Sequence, residues 1–106
     1  MKWFRIFSNE AEARSRIADR KPQLVILGGR RIALVLLGGK FYAVQDACTH
    51  RAASLSEGTI NFLGEIVCPL HHYRFDLRTG KACDSSCTDL ESFPVRIDAE
   101  GFFIGV

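Results

Sequence analysis

Short runs of alternating or continuous apolar residues, separated by turn-forming pairs, organise this chain. Residues 2–7 alternate and are rich in aromatics, which predicts a strand. Residues 8–14 carry acids early and a base late, which predicts a short helix capped by Ser8 or Asn9. Residues 23–27 and 31–37 are β-rich runs joined through Gly28-Gly29, and Gly38-Gly39 repeats the device before residues 41–45. Glycine tolerates the positive φ that tight hairpins need, so three consecutive antiparallel strands are expected here. The pattern then weakens. Residues 46–64 read as ordered loop, 65–68 and 73–77 as short strands, and 81–89 as loop. Residues 93–97 and 102–106 read as a closing hairpin across Asp98-Ala99-Glu100-Gly101. Eight or nine short strands predict an all-β antiparallel sandwich or barrel.

Composition narrows the setting. The 106 residues suit one domain spanning 1–106, with no room for a second catalytic domain. A net charge of +2, with bases scattered among acids, gives no electrostatic case for nucleic acid or an anionic membrane as partner. The most apolar stretch, 24–37, is broken by Gly28-Gly29-Arg30-Arg31 and cannot cross a membrane. Residues 1–7 show no apolar run of signal-peptide length, so a cytoplasmic location is expected. In that reducing compartment, four cysteines suggest metal chemistry before disulfides.

Two Cys–His pairs carry the chemistry: Cys48-Thr49-His50 and Cys68-Pro69-Leu70-His71. Each lies beside a turn at the end of a strand, so two loops can bring four metal ligands together. Zinc is one candidate, because two cysteines with two histidines form a common structural set. Zinc fingers, however, place their cysteines together and their histidines together on a helix. Here each loop supplies one of each and no helix follows.

The arrangement C-T-H, seventeen residues, then C-P-L-H resembles the Rieske box. Leu55-Ser56-Glu57-Gly58 resembles the L-S-x-G after the first box, and Phe75-Asp76 with Thr79-Gly80 resembles the F-D…T-G after the second. The resemblance implies a Rieske-like antiparallel β fold. Its cluster-binding region, about 46–80, is inserted in a β base and built from two loops. It also implies one [2Fe–2S] cluster per chain, with Cys48 and Cys68 on one iron and His50 and His71 on the other. Two imidazoles in place of two thiolates remove negative charge, so an added electron is less unfavourable and the potential rises. In the family the two histidines lie at the protein tip, which makes His50 and His71 the expected exit for the electron. Thr49, Arg51 and Ala52 should flank the first ligands, and Pro69 and Leu70 the second, holding a turn and excluding water.

Several departures from the family pattern matter. High-potential respiratory members carry a further cysteine in each box region, joined as a disulfide; Ala53 and Leu70 stand there. Those members also place Ser and Tyr hydroxyls near the cluster sulfurs; Tyr73 and Phe75 stand there. His72 replaces a usual glycine, as a partner-facing tip residue or a solvated one. Cys83 and Cys87 are either a loop disulfide or two free thiols. The resemblance therefore implies the low-potential, oxygenase-type branch: a soluble ferredoxin passing one electron between a flavin reductase and a terminal oxygenase, with no catalysis of its own. The alternative is the small subunit of NAD(P)H-dependent nitrite reductase. A structural zinc-binding interaction module is a more distant one.

Overall fold

The computed structural model describes residues 1–106 apart from Arg51, His71, Ser85 and Ser86. Its elements, in chain order, are β1 (Trp3–Phe7), α1 (Glu10–Arg16), β2 (Gln23–Leu27), β3 (Arg30–Leu37), β4 (Lys40–Gln45), β5 (Thr59–Ile60), β6 (Glu65–Val67), β7 (Arg74–Asp76), β8 (Ser92–Phe93), β9 (Val95–Asp98) and β10 (Gly101–Gly105). A 3-10 turn covers Leu55–Glu57. No helix among the described residues is long and apolar enough to cross a membrane. The strands form three antiparallel sheets, in the orders β1-β10-β9, β2-β3-β4-β8 and β5-β6-β7.

β3 explains how the layers stack. Its last six residues are all buried, which a strand achieves only when both faces are covered. Ile32, Leu34 and Leu36 face one core with Ala13 of α1, Phe41, Ala43, Phe102 and Ile104. Ala33, Val35 and Leu37 face a second core with Val44, Leu55, Ile66, Phe75, Leu77 and Leu90, and this core also holds Cys48 and Cys68. Full burial of each such side chain stabilises the fold by about 1.5–3 kcal/mol. A one-residue slip of β3 would exchange its two faces, so its register is strongly set. Phe102 anchors the first core, with the rings of Phe41 and Phe7 set edge-on against it at 4.8 and 5.4 Å.

Local chemistry accounts for the element ends. Asn9 caps α1, its side chain accepting from the Glu12 N–H at 2.8 Å, while the Ser8 N–H donates to the Glu12 carboxylate. Two expectations need correction. Residues 93–97 are not one strand: Pro94 lacks the N–H that a continuing ladder needs, so β8 pairs with β4 and β9 with β10. Nor are residues 46–64 all loop, since β5 and the 3-10 turn lie within them. Gly58 ends that turn, and a Cβ there would stand 2.0 Å from the Val67 carbonyl oxygen. Only glycine lets the chain pass so close to β6, which gives the L-S-x-G pattern its physical reason.

Candidate metal centre

Cys48 and Cys68 come from loops that leave the same ends of two strands, three residues after β4 and directly after β6. Both are buried, at 2 % and 0 % exposure, and their thiols are close enough to influence one another. The first loop is closed by short backbone bonds: the Cys48 N–H donates to Ala53 O at 2.9 Å, and the Ala52 N–H donates to Cys48 O at 2.7 Å. In the second loop the Cys68 N–H donates to Tyr73 O at 2.8 Å, and the Leu70 N–H donates to the Cys68 sulfur. Burial, reinforced by the neighbouring Cys48 sulfur, pushes the Cys68 thiol pKa up, and the Leu70 N–H opposes that rise. A metal reverses this preference, because a bound thiol is deprotonated outright.

His50 is half-buried, its Nδ1 atom wholly so, and its ring lies against Tyr73 with centroids 4.0 Å apart and planes at 37°. Of the four expected ligands, Cys48, His50 and Cys68 are therefore placed within the two-loop region. His71 lies outside the described residues, as does Arg51. Pro69 and Leu70 are exposed, Leu70 at 42 %. His72 is exposed with φ 57°, a left-handed conformation that accounts for the glycine usual there.

Asp46 was not singled out by sequence reasoning, yet it braces the first loop. Only 1 % exposed, its carboxylate accepts the Ser56 N–H at 2.8 Å and pairs with Arg31 at 3.4 Å. Its backbone also bonds Arg31 and Leu55. The third loop is tied in by Thr49, whose hydroxyl donates to Thr88 O at 2.7 Å. None of these contacts had a local signal, because each joins residues brought together only by the fold.

None of the four cysteines is in a disulfide. Cys87 packs on the core that holds Cys48 and Cys68, whereas the Cys83 thiol donates to the Glu65 carboxylate at 3.0 Å. Cys83, Asn61 and Arg74 together hold the Glu65 carboxyl below its usual range. Partial burial and the Glu65 carboxylate push the Cys83 thiol up to about 11. Between the ordinary thiol pKa and about 11, the folded chain keeps a proton that the unfolded chain releases. This interaction therefore stabilises the fold below that window and is lost as pH rises through it. At pH 8, Cys83 should alkylate about 100-fold more slowly than an ordinary thiol, and Glu65→Gln should speed it. Mass-spectrometric labelling checks this; an unhindered rate would show that the contact does not hold the proton.

Two cysteines on converging loops, with a histidine beside them, define a metal-binding β protein. Among the described residues, no three His, Cys, Asp or Glu side chains are grouped as ligands for one metal ion. A two-iron cluster asks for a different arrangement, two ligands at each iron. The adjacent buried sulfurs, the N–H aimed at one of them and the mixed donor set fit such a cluster. The chain belongs to the Rieske [2Fe–2S] domain family, whose model matches residues 8–94. Its cofactor is a [2Fe–2S] cluster, and the zinc alternative falls with that membership. The chain is 45% identical over 74 residues to the 3-phenylpropionate/cinnamic acid dioxygenase ferredoxin subunit of Escherichia coli strain K12, covering 69% of this chain and 70% of the relative. It is similar to a structure of reduced oxygenase with oxidised ferredoxin in carbazole 1,9a-dioxygenase, at 31% identity and TM-score 0.80, over 97% of this chain and 92% of the other. A structure proposed as an NADH-dependent nitrite reductase small subunit from Mycobacterium tuberculosis shares the fold at TM-score 0.80 and 21% identity, over 97% and 92% of the two chains. At that identity the likeness carries the fold and not the activity.

Proposed function

We propose that this chain is the ferredoxin component of an oxygenase system. It holds its cluster through Cys48, His50, Cys68 and His71, and passes single electrons from a flavin reductase to a terminal oxygenase. The whole chain, 1–106, acts as one domain with the region about 46–80 inserted in the β base. It works in the cytoplasm and catalyses no reaction by itself. The observation that carries this reading is the pair of buried, neighbouring cysteines Cys48 and Cys68, on a chain 45% identical to a dioxygenase ferredoxin subunit. The cluster supplies reversible one-electron storage. The protein's part is to bury the cysteine side, orient His50 against Tyr73 and brace the first loop through Asp46.

Stopped-flow mixing tests the assignment. The holoprotein should accept one electron per chain from NADH through a flavin-dependent ferredoxin reductase. It should then be reoxidised by a ring-hydroxylating oxygenase many times faster than by a sirohaem nitrite reductase. Preferential reoxidation by the nitrite reductase would overturn the oxygenase assignment in favour of the subunit alternative.

A further inference from the structure

A second feature lies at the opposite end of the sheets from the metal centre. Lys40 opens β4, whose far end leads to Cys48; Gly64 precedes β6, whose far end leads to Cys68. At about 3.3 Å per strand residue, this end stands roughly 13 Å or more from the cysteines. Here a groove of about 480 Å³ opens to solvent, walled by Arg20, Lys40, Tyr42, Phe62, Leu63 and Arg78 among others, with no acidic residue in its lining. We propose that this groove docks an acidic segment of a partner protein, one that carries an aromatic or aliphatic side chain beside its carboxylates.

Charge is the first argument. Arg14, Arg30, Arg31, Arg74 and Arg96 each have a carboxylate partner. Eight other described Lys and Arg residues have none, and three of these, Arg20, Lys40 and Arg78, face one groove. Their placement is built rather than loose. Arg20 holds a left-handed backbone, φ 62°, which non-glycine residues seldom adopt, with its N–H donating to Leu36 O at 2.7 Å and its guanidinium to Asn61 O at 2.6 Å. Gly64 has no side chain, and a Cβ there would stand 3.5 Å from the Arg78 guanidinium, so the turn and the cation lie close together.

The apolar component is the second argument. Phe62 is 88 % exposed and Leu63 57 %, side by side at the rim. Exposed aromatics next to arginines are the residues that anchor protein interfaces. A small ligand is usually enclosed on most of its surface. This groove is open and its largest apolar side chain stands exposed at the rim, which suits a chain laid across the surface. Docking here leaves the metal end uncovered, so one partner can stay attached while the tip serves another. It is also independent of the electron-carrier reading, since no groove residue is one of the proposed cluster ligands.

The test is a titration of the ¹⁵N-labelled holoprotein, followed by NMR, with a synthetic peptide of glutamates around one phenylalanine. A matching lysine peptide and free benzoate serve as comparisons. The expected result is shifts confined to the amides of Gly38, Lys40, Leu63, Gly64 and Arg78, with an affinity in the range of about 0.1–1 mM that falls with added salt. Phe62→Ser and Arg78→Glu, both at exposed positions, should each weaken binding about tenfold and leave the cluster's visible spectrum unchanged. Absence of shifts at these amides up to about 1 mM peptide would overturn the proposal. So would shifts at Thr49 and Leu70 instead, or equal binding of the lysine peptide. Benzoate binding as tightly as the peptide would also overturn it, because the groove would then be a small-anion site.

Discussion

Replacing His71 by alanine is expected to abolish the cluster or deplete it by more than about tenfold, while Cys83→Ser leaves it intact. The contrast follows from chemistry. Under the proposed ligation, loss of one imidazole would leave one iron short of a ligand. Cys83, by contrast, spends its thiol on Glu65 and is held as the neutral acid, so it is neither aimed at the metal nor ready to replace a ligand. Iron and acid-labile sulfide analysis should give about two of each per wild-type chain, and the same for Cys83→Ser. Because metal-binding free energy is also folding free energy, the apo protein should lose hydrogen-exchange protection mainly around 47–57 and 69–73. The packed sheets around Phe102 should keep theirs. An intact cluster in His71→Ala would remove His71 from the ligand set. Uniform protection with and without metal would show that the loops need no cluster to hold them.

The midpoint potential at neutral pH is expected in the lowest quarter of the Rieske range, about −150 to −40 mV out of roughly −150 to +300 mV. Mixed ligands place the site in that range, and hydrogen bonds to sulfur decide the position within it by stabilising the more electron-rich reduced state. The Leu70 N–H supplies one such bond to the Cys68 sulfur. Phe75 is fully buried in the core that holds both cysteines, and it offers no hydroxyl. Tyr73 lays its ring against His50. Ser85, a further possible donor, lies outside the described residues. Such a carrier takes electrons readily from a flavin-linked reductase and would serve a quinol-oxidising complex poorly. Protein-film voltammetry checks the value, and a midpoint above about +100 mV would remove the oxygenase-type assignment. Phe75→Tyr should raise the potential by adding a donor toward cysteine sulfur. No shift would show that the ring's outer edge does not reach it.

Chemistry held in short stretches of chain was legible in the sequence alone. The Gly-punctuated strands from 23 to 45, the Asn9-capped helix and the two Cys–His pairs all depend on neighbours a few residues apart. Spacing and residue type therefore declared the β fold and a metal site, and the resemblance of the two pairs to the Rieske box implied the kind of cofactor. What the fold decided were contacts between distant segments. Pro94 marked a break in the chain, but only the positions of β4 and β10 show that β8 and β9 go to different sheets. Asp46 reads as an ordinary turn residue until Arg31, on the neighbouring strand, and Ser56 converge on it in the interior. The four-residue spacing of Cys83 and Cys87 left a disulfide open. The tertiary structure separates their roles, because Glu65 on β6 captures one thiol while the other packs on the core that holds Cys48 and Cys68. The groove of Arg20, Lys40 and Arg78 is the extreme case: two cations from separate turns and one from the start of β4, spread over 59 positions of sequence, share one surface only because the end of β3 and the start of β4 meet the turns beside β6 and β7 there.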